Sequence, residues 1–158
     1  MTISKHTLLR LAASAVCIIA LVTACSQDNM LLSYQHTVQV GLYSKSTHDD
    51  TTLTVVSVQG VGVDSLLYDE EDELGELFLN MNLHTDTTQF VVMTQTLQDD
   101  LYFKYQVQLE PASSGSGMAV RIHIDSISHT TTFIDSVAIV NADVVYNESL
   151  ENVQIFVY

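Results

Sequence analysis

The stretch that decides the fold class is Leu101-Tyr102-Phe103-Lys104-Tyr105-Gln106-Val107-Gln108-Leu109. Its odd-numbered positions are all apolar or aromatic, and three of its four even-numbered positions are Lys or Gln. Because successive side chains of a β-strand point to opposite faces, this alternation predicts a strand with one buried face. We expect Phe103 and Val107 to be buried and Lys104 and Gln106 to be exposed.

The same period-two alternation recurs along most of the chain. It predicts further strands at residues 38–43, 51–59, 63–68, 77–82, 89–94, 119–127, 133–140 and 153–157. Polar turns separate these strands, and no stretch of ten or more residues keeps a helical period. Residues 36–158 are therefore predicted to form a single all-β domain, an antiparallel, immunoglobulin-like β-sandwich of about 8–9 strands. A closed β-barrel is the alternative.

The N-terminus has the pattern of a secretory signal peptide. Lys5 and Arg10 precede residues 11–22, a run that is apolar except for Ser14. This run is well short of the roughly 20 residues that span a bilayer. The next residues are Thr23, Ala24 and Cys25, where a signal peptidase requires small side chains before its cleavage site.

The residues 22–25, Val-Thr-Ala-Cys, resemble the lipobox of bacterial lipoproteins. The resemblance implies a signal peptide at residues 1–24, diacylglycerol attached through the thiol of Cys25, and a lipidated tether at residues 25–35. The other cysteine, Cys17, would be removed with the signal peptide, so no intrachain disulfide is possible. The alternative is an uncleaved membrane anchor in which Cys25 is incidental.

The charge of the chain excludes some partners. All 19 acidic residues lie beyond Cys25, where only Lys45, Lys104 and Arg121 oppose them, so the formal charge of that part is −16. This charge argues against nucleic acid, whose phosphates need cations. It argues equally against docking on anionic lipid head groups. The membrane is therefore expected as a partner only through the lipid anchor, and the sequence points to no particular protein partner.

The C-terminal third carries a further resemblance. Residues 124–141, Ile-Asp-Ser-Ile-Ser-His-Thr-Thr-Thr-Phe-Ile-Asp-Ser-Val-Ala-Ile-Val-Asn, and residues 151–158, Glu-Asn-Val-Gln-Ile-Phe-Val-Tyr, resemble the end of a family of small Bacteroidota lipoproteins. Residues 63–66 and 87–92 are also similar. That family is known only as a domain of unknown function. The resemblance implies an outer-membrane location in the cell envelope and an all-β fold, and it supplies no catalytic residues.

The densest acidic cluster, Asp69-Glu70-Glu71-Asp72-Glu73, is the candidate for metal binding. Carboxylates in a loop are the usual ligands of calcium. An EF-hand counted from Asp69 would need Gly at position 74 and Glu at position 80, where Leu74 and Asn80 stand. Within the cluster the candidate ligands are Asp69, Glu71, Asp72 and Glu73, and the pairs Asp49-Asp50 and Asp99-Asp100 would contribute only if the fold gathers them. We expect the cluster to be solvated, because acids between strands commonly serve turns and solubility.

Other chemistry finds less support in the sequence. The histidines of the predicted domain are His36, His48, His84, His123 and His129. They lack the close spacing of the ligands in a zinc site. The residues 113–117, Ser-Ser-Gly-Ser-Gly, do not match the Gly-x-Ser-x-Gly nucleophile motif. Tyr43, Tyr102 and Tyr146 offer stacking surfaces for a sugar, but exposed tyrosine is ordinary in strands.

The sequence thus predicts a lipid-anchored envelope protein that acts as a non-catalytic interaction or accessory module. It indicates no enzyme activity and no cofactor beyond the covalent lipid on Cys25. The alternative is a calcium-dependent adhesion or ligand-binding β-sandwich. The sequence does not indicate which residues would bind a partner.

Overall fold

The computed structural model describes residues 36–111, 118–144 and 150–158. The predicted signal peptide 1–24 and tether 25–35 lie outside the described residues, as do the Ser-Gly run 113–117 and Tyr146. Among the described residues, no helix is long and apolar enough to cross a membrane.

The described residues form ten strands in two packed sheets, which confirms the all-β sandwich. The strands are β1 Thr37–Ser44, β2 Val56–Gly60, β3 Leu66–Glu71, β4 Glu76–Asn80, β5 Thr87–Met93, β6 Gln98–Pro111, β7 Met118–His129, β8 Ile134–Ile139, β9 Asp143–Val144 and β10 Val153–Val157. One sheet has the order β4-β1-β10-β8 and the other β3-β2-β5-β6-β7-β9. Neighbouring strands are antiparallel except β1 and β10, which pair in parallel.

The strand predicted at residues 101–109 is part of β6, in the middle of the six-stranded sheet, and its side chains alternate as predicted from Leu101 to Gln106. Phe103 is 1% exposed, whereas Lys104 and Gln106 are exposed. The ring of Phe103 meets that of Phe90 edge to face, with 5.9 Å between centroids, a favourable aromatic arrangement. The inner faces of both sheets supply the core, which includes Val38, Val40, Leu77, Leu79, Ile155, Val58, Leu101, Tyr105 and Ile122.

The far end of β6 departs from the prediction. Val107 is half-buried instead of buried, and Leu109 is 67% exposed although its position in the alternation is that of Phe103. The reason is that β5 pairs with β6 as far as Lys104 and the β4–β5 turn covers Tyr105, whereas the residues beyond Tyr105 pair with β7 alone. The β6–β7 ribbon therefore extends past the core, and alternation alone does not bury its side chains.

The strand predicted at residues 51–59 is shorter than expected. It begins at Val56, because Val55 has a φ of 52°, a left-handed conformation that interrupts an extended strand. Before it, Thr51 donates its amide to the carbonyl of Leu42 and Leu53 forms a bridge with Leu74. This stretch therefore crosses between sheets.

A β-bulge in β7 keeps its apolar side chains on the core side. Lys104 pairs with Ser126 but Tyr105 pairs with Ile124, so Asp125 is the extra residue. Asp125 and Ser126 are both exposed, and Ile127 then packs against the core although it is out of phase with Ile124. A single extra residue shifts the alternation by one position, which is what a bulge does.

Candidate functional site

The acidic cluster of residues 69–73, hereafter the acidic segment, lies at the sheet edge. Asp69 to Glu71 end β3, which is an edge strand, and the rest of the segment turns towards β4. All five side chains are exposed, and Glu70 and Glu73 have φ values of 51° and 55°. Asp72 is the member with a defined partner, since its Oδ1 accepts the amide of Val55 at 3.3 Å.

The fold does not gather the other acidic pairs around this segment. Within residues 36–111, 118–144 and 150–158, no three His, Cys, Asp or Glu side chains lie close enough to hold a metal ion. Asp49 and Asp50 lie near the end of β1, and Asp99 and Asp100 lie within β6 and not between strands as expected. Whether the protein binds calcium stays a prediction.

Asp99 is a buried carboxylate that fastens the β7–β8 connection. It is 1% exposed. Oδ1 accepts the Thr130 hydroxyl at 2.5 Å and the Thr132 amide at 2.7 Å, and Oδ2 accepts the amides of Phe133 at 2.7 Å and Ile134 at 2.8 Å. Burial alone would raise the pKa of Asp99, but the Thr130 hydroxyl and the three amides lower it from 3.8 to about 2. The carboxylate is thus part of the fold and has no free oxygen to offer a ligand.

The five histidines of the domain stand apart, each in a different setting. His123 Nδ1 lies 2.7 Å from Asp143 Oδ1 and thereby holds the short β9 against β7. His129 Nδ1 contacts the carbonyl of Thr130 at 2.7 Å, and the ring of His48 packs 5.3 Å from that of Phe156. His36 is half-buried and His84 is exposed in the β4–β5 turn. These contacts are structural ones.

Two of the three candidate tyrosines fall within the described residues, and they lie on different sheets. Tyr102 is exposed on the outer face of β6. Tyr43, on β1, donates its hydroxyl to Glu151 Oε2 at 2.7 Å. This hydrogen bond, together with burial, raises the pKa of Tyr43. No common sugar-stacking surface joins them.

A first recess of about 520 Å³ opens beside Tyr43 and is hereafter the acidic cleft. Asp50, Glu76 and Glu151 line it from three parts of the chain, with Gly41 between them. A Cβ at Gly41 would lie 1.9 Å from Glu151 Oε2, so only glycine leaves room for this carboxylate. Glu151 is also held by Gln154, whose Nε2 donates to its Oε1 at 2.7 Å. The acidic cleft is thus lined mainly by carboxylates and hydroxyls.

A second recess of about 530 Å³ differs in character and is hereafter the neutral cleft. One wall is the β2–β3 turn, residues 60–66, which presents Val61, Val63 and Leu66. The other wall comes from the β4–β5 turn and the strand ends that flank it, and its amide and hydroxyl side chains are those of Asn80, Asn82, Thr85, Thr87, Thr88 and Gln89. Within the part of the chain that the structure describes, no charged residue lines this cleft, and no histidine or cysteine lines either cleft.

Sequence reasoning missed both clefts, because each is assembled from turns far apart in the chain. One signal was present: Gly60-Val61-Gly62-Val63 places two large apolar side chains in a turn, where polar residues are usual. The predicted lipidation site, Cys25, lies outside the described residues and stays a prediction.

Comparison with known proteins gives one match. The model of a family of unknown function, DUF6452, matches residues 52–157. These residues include every strand from β2 to β10. No curated protein and no solved structure matches the chain.

Proposed function

Since the chain belongs to the DUF6452 family, whose function is unknown, we propose that it is a lipid-anchored protein of the bacterial cell envelope. In this proposal the β-sandwich is a non-catalytic interaction or accessory module. The observation that carries the proposal is the order of the N-terminal residues: two cations, a short apolar run, and Val-Thr-Ala-Cys ending at Cys25.

The anchor is supported by the physical chemistry of acyl chains. Each buried methylene contributes about 0.8 kcal/mol, and one chain alone binds a membrane only marginally. Two or three chains on Cys25 make attachment effectively permanent. The −16 charge of the remaining chain is compatible with this mode, because a lipid anchor needs no attraction between the domain and the head groups.

The role as a module is supported by the clefts. Concave sites of about 300–1,000 Å³ are typical of ligand binding, and the volumes of both clefts, about 520 and 530 Å³, fall in this range. The acidic segment, by contrast, has dispersed side chains, and no observation favours calcium-dependent adhesion. An outer-membrane location is part of this proposal, and its support is the resemblance of the C-terminal third to Bacteroidota lipoproteins.

The test is incorporation of labelled palmitate in cells. The natural protein should carry the label and stay with the membrane fraction after salt and carbonate washes. Cys25→Ser should abolish labelling and release the processed chain. Cys17→Ser is the matched control, because its cysteine lies in the segment that cleavage removes, and it should behave as the natural protein does. The proposed lipid anchor on Cys25 would be refuted if the Cys25→Ser variant still incorporated labelled palmitate, or if the natural protein incorporated none.

A further inference from the structure

The neutral cleft has apolar side chains exposed where folding does not require them. Val61 is 56% exposed, Val63 52% and Leu66 41%, and all three line the same recess. Single exposed apolar residues are ordinary, but here three of them line one recess, opposite amide and hydroxyl side chains.

Hydrogen bonds fix the apolar wall. The amide of Val61 donates to the carbonyl of Gln89 at 2.9 Å, and that of Val63 donates to Gly60 at 3.1 Å. The side-chain amide of Gln59 donates to the carbonyl of Val63 at 2.9 Å. The turn is thus tied to β5 and to itself, which fixes the backbone that carries the valines.

The polar wall is fixed by a buried tyrosine. The hydroxyl of Tyr105 donates to the carbonyl of Asn82 at 2.7 Å and lies 2.6 Å from the hydroxyl of Thr88. The Tyr105 amide also donates to the carbonyl of Asp86 at 2.9 Å. Because Tyr105 is fully buried in the core, it anchors the β4–β5 turn from beneath. Both walls therefore exist before any ligand binds, which lowers the entropic cost of binding.

The polar wall offers hydrogen-bond donors. Asn80 Oδ1 lies 2.7 Å from the Thr37 hydroxyl that donates to it, and Asn82 Oδ1 accepts the amide of His84 at 2.9 Å. Each of these side-chain carbonyls accepts one hydrogen bond, and each NH₂ group carries two donors. Gln89 and Thr87 also line the cleft and supply groups that can donate or accept.

The lining selects among ligand classes by charge and shape. Among the described residues, none that lines the cleft is charged, although the chain is strongly negative, so the lining supplies no counter-charge for a cation or an anion. Its one aromatic residue, Phe90, is buried and offers no stacking platform for a sugar. A bare acyl chain would leave the amides and hydroxyls without partners. A peptide main chain presents carbonyls and N–H groups to such a wall, while alternate aliphatic side chains meet the valines.

We propose that the neutral cleft binds an uncharged, extended peptide segment with aliphatic side chains, contributed by a partner protein. This proposal rests on the role as an interaction module and specifies the chemistry of its partner. Complementarity carries it: an uncharged wall of donors and acceptors faces an apolar wall across a recess that is already formed.

The test uses a random pentapeptide display library, selected on the full mature protein in phosphatidylcholine vesicles and depleted on empty vesicles. The enriched peptides should be uncharged and carry aliphatic residues at alternate positions. For the most enriched peptide, Val63→Asp should raise Kd at least tenfold. Leu109→Asp is the matched control, because it alters an exposed apolar side chain outside the cleft, and it should leave Kd within twofold.

A second variant, Asn80→Asp, removes the NH₂ donor while keeping the oxygen that accepts from Thr37, and it should also weaken binding at least tenfold. Melting temperatures within a few degrees of the natural protein check that each variant is folded. Enrichment of charged peptides, no enrichment, or equal Kd values for Val63→Asp and the natural protein would overturn the proposal. Palmitate labelling is measured separately. If the protein is labelled but selects no peptide from the library, the result contradicts peptide binding in the neutral cleft and leaves the lipid anchor intact.

Discussion

Asp99 and Asp100 are adjacent in sequence and carry the same side chain, yet they have different roles. Asp99 accepts four hydrogen bonds from residues 130–134, whereas the Asp100 side chain accepts from the exposed Tyr102 at 3.3 Å. The sequence could not separate them, because the donors of Asp99 lie more than 30 positions away. A buried carboxylate that is bonded by backbone amides depends on the tertiary fold.

The first prediction concerns the pH dependence of stability. The pKa of Asp99 is about 2 in the folded protein and 3.8 for the unperturbed group, so the unfolded chain binds its proton at a higher pH. The carboxylate therefore contributes stability above about pH 4 and loses it as the pH falls towards 2, about 2 kcal/mol in all. Urea unfolding between pH 2 and 7 measures this loss.

The comparison variants are Asp99→Asn and Asp100→Asn. Asp99→Asn should lower the free energy of unfolding at pH 7 by about 2–3 kcal/mol, because an amide leaves buried donors unpaired. Its difference from the natural protein should shrink below pH 4. Asp100→Asn should change the free energy by no more than about 0.5 kcal/mol. Equal losses for the two variants would contradict the assigned role of Asp99.

Among the elements, β6 shows how far alternation can predict burial. The pattern placed Phe103 inside and Lys104 outside, and both are confirmed. It failed at Leu109, because the pattern contains no information about where the neighbouring strand ends. The bulge at Asp125 and the parallel pairing of β1 with β10 were likewise not predicted, since both depend on strand pairing and not on composition.

The second prediction compares the two ends of β6. Phe103→Ala should lower the free energy of unfolding by about 3–5 kcal/mol, as truncation of a buried aromatic residue does. This loss is a large share of the roughly 5–15 kcal/mol that stabilises a domain. Leu109→Ala should cost about 0.5 kcal/mol or less, because its side chain is 67% exposed. Chemical denaturation gives both values, and a smaller loss for Phe103→Ala than for Leu109→Ala would mean that the strand is inverted.

The third prediction concerns the acidic segment at the end of β3. Replacing residues 69–73 by Asn and Gln should preserve the fold, because all five side chains are exposed. At low ionic strength the melting temperature should rise slightly, since five like charges are removed from a chain of net −16, and added salt should abolish the difference.

Calcium provides the control for this variant. At fixed ionic strength, millimolar calcium should leave the melting temperature of both forms unchanged. We expect neither form to bind calcium in this segment, and an ion that does not bind the folded state does not stabilise it. A calcium-dependent rise of several degrees in the natural protein that the neutralised variant lacks would establish a calcium site in this segment.

For the whole molecule, the fold class was predictable and the clefts were not. The alternation of apolar residues along nine stretches is enough to predict a two-layer β protein. The neutral cleft forms where the turns at residues 60–66 and 80–89 come together. The acidic cleft forms where residues 41–52 and 75–76 meet Glu151. Their assembly depends on strand order, which periodicity does not encode.

The family match also has a consequence for the domain as a whole. It begins at residue 52 and so excludes β1, which nevertheless lies between β4 and β10 in its sheet. Without β1, the buried side chains of Leu77, Leu79 and Ile155 would lose their neighbouring strand. The folded unit therefore requires residues that precede the matched segment.

If Cys25 anchors this β-sandwich to the membrane, as proposed, the acyl chains contribute to the intact mass of the protein extracted from membranes, and mass spectrometry measures it. The proposal predicts a chain that begins at Cys25, with a mass that exceeds residues 25–158 by diacylglycerol and a further acyl chain. A mass equal to the unprocessed 158 residues, or to a chain with an unmodified Cys25, would contradict it.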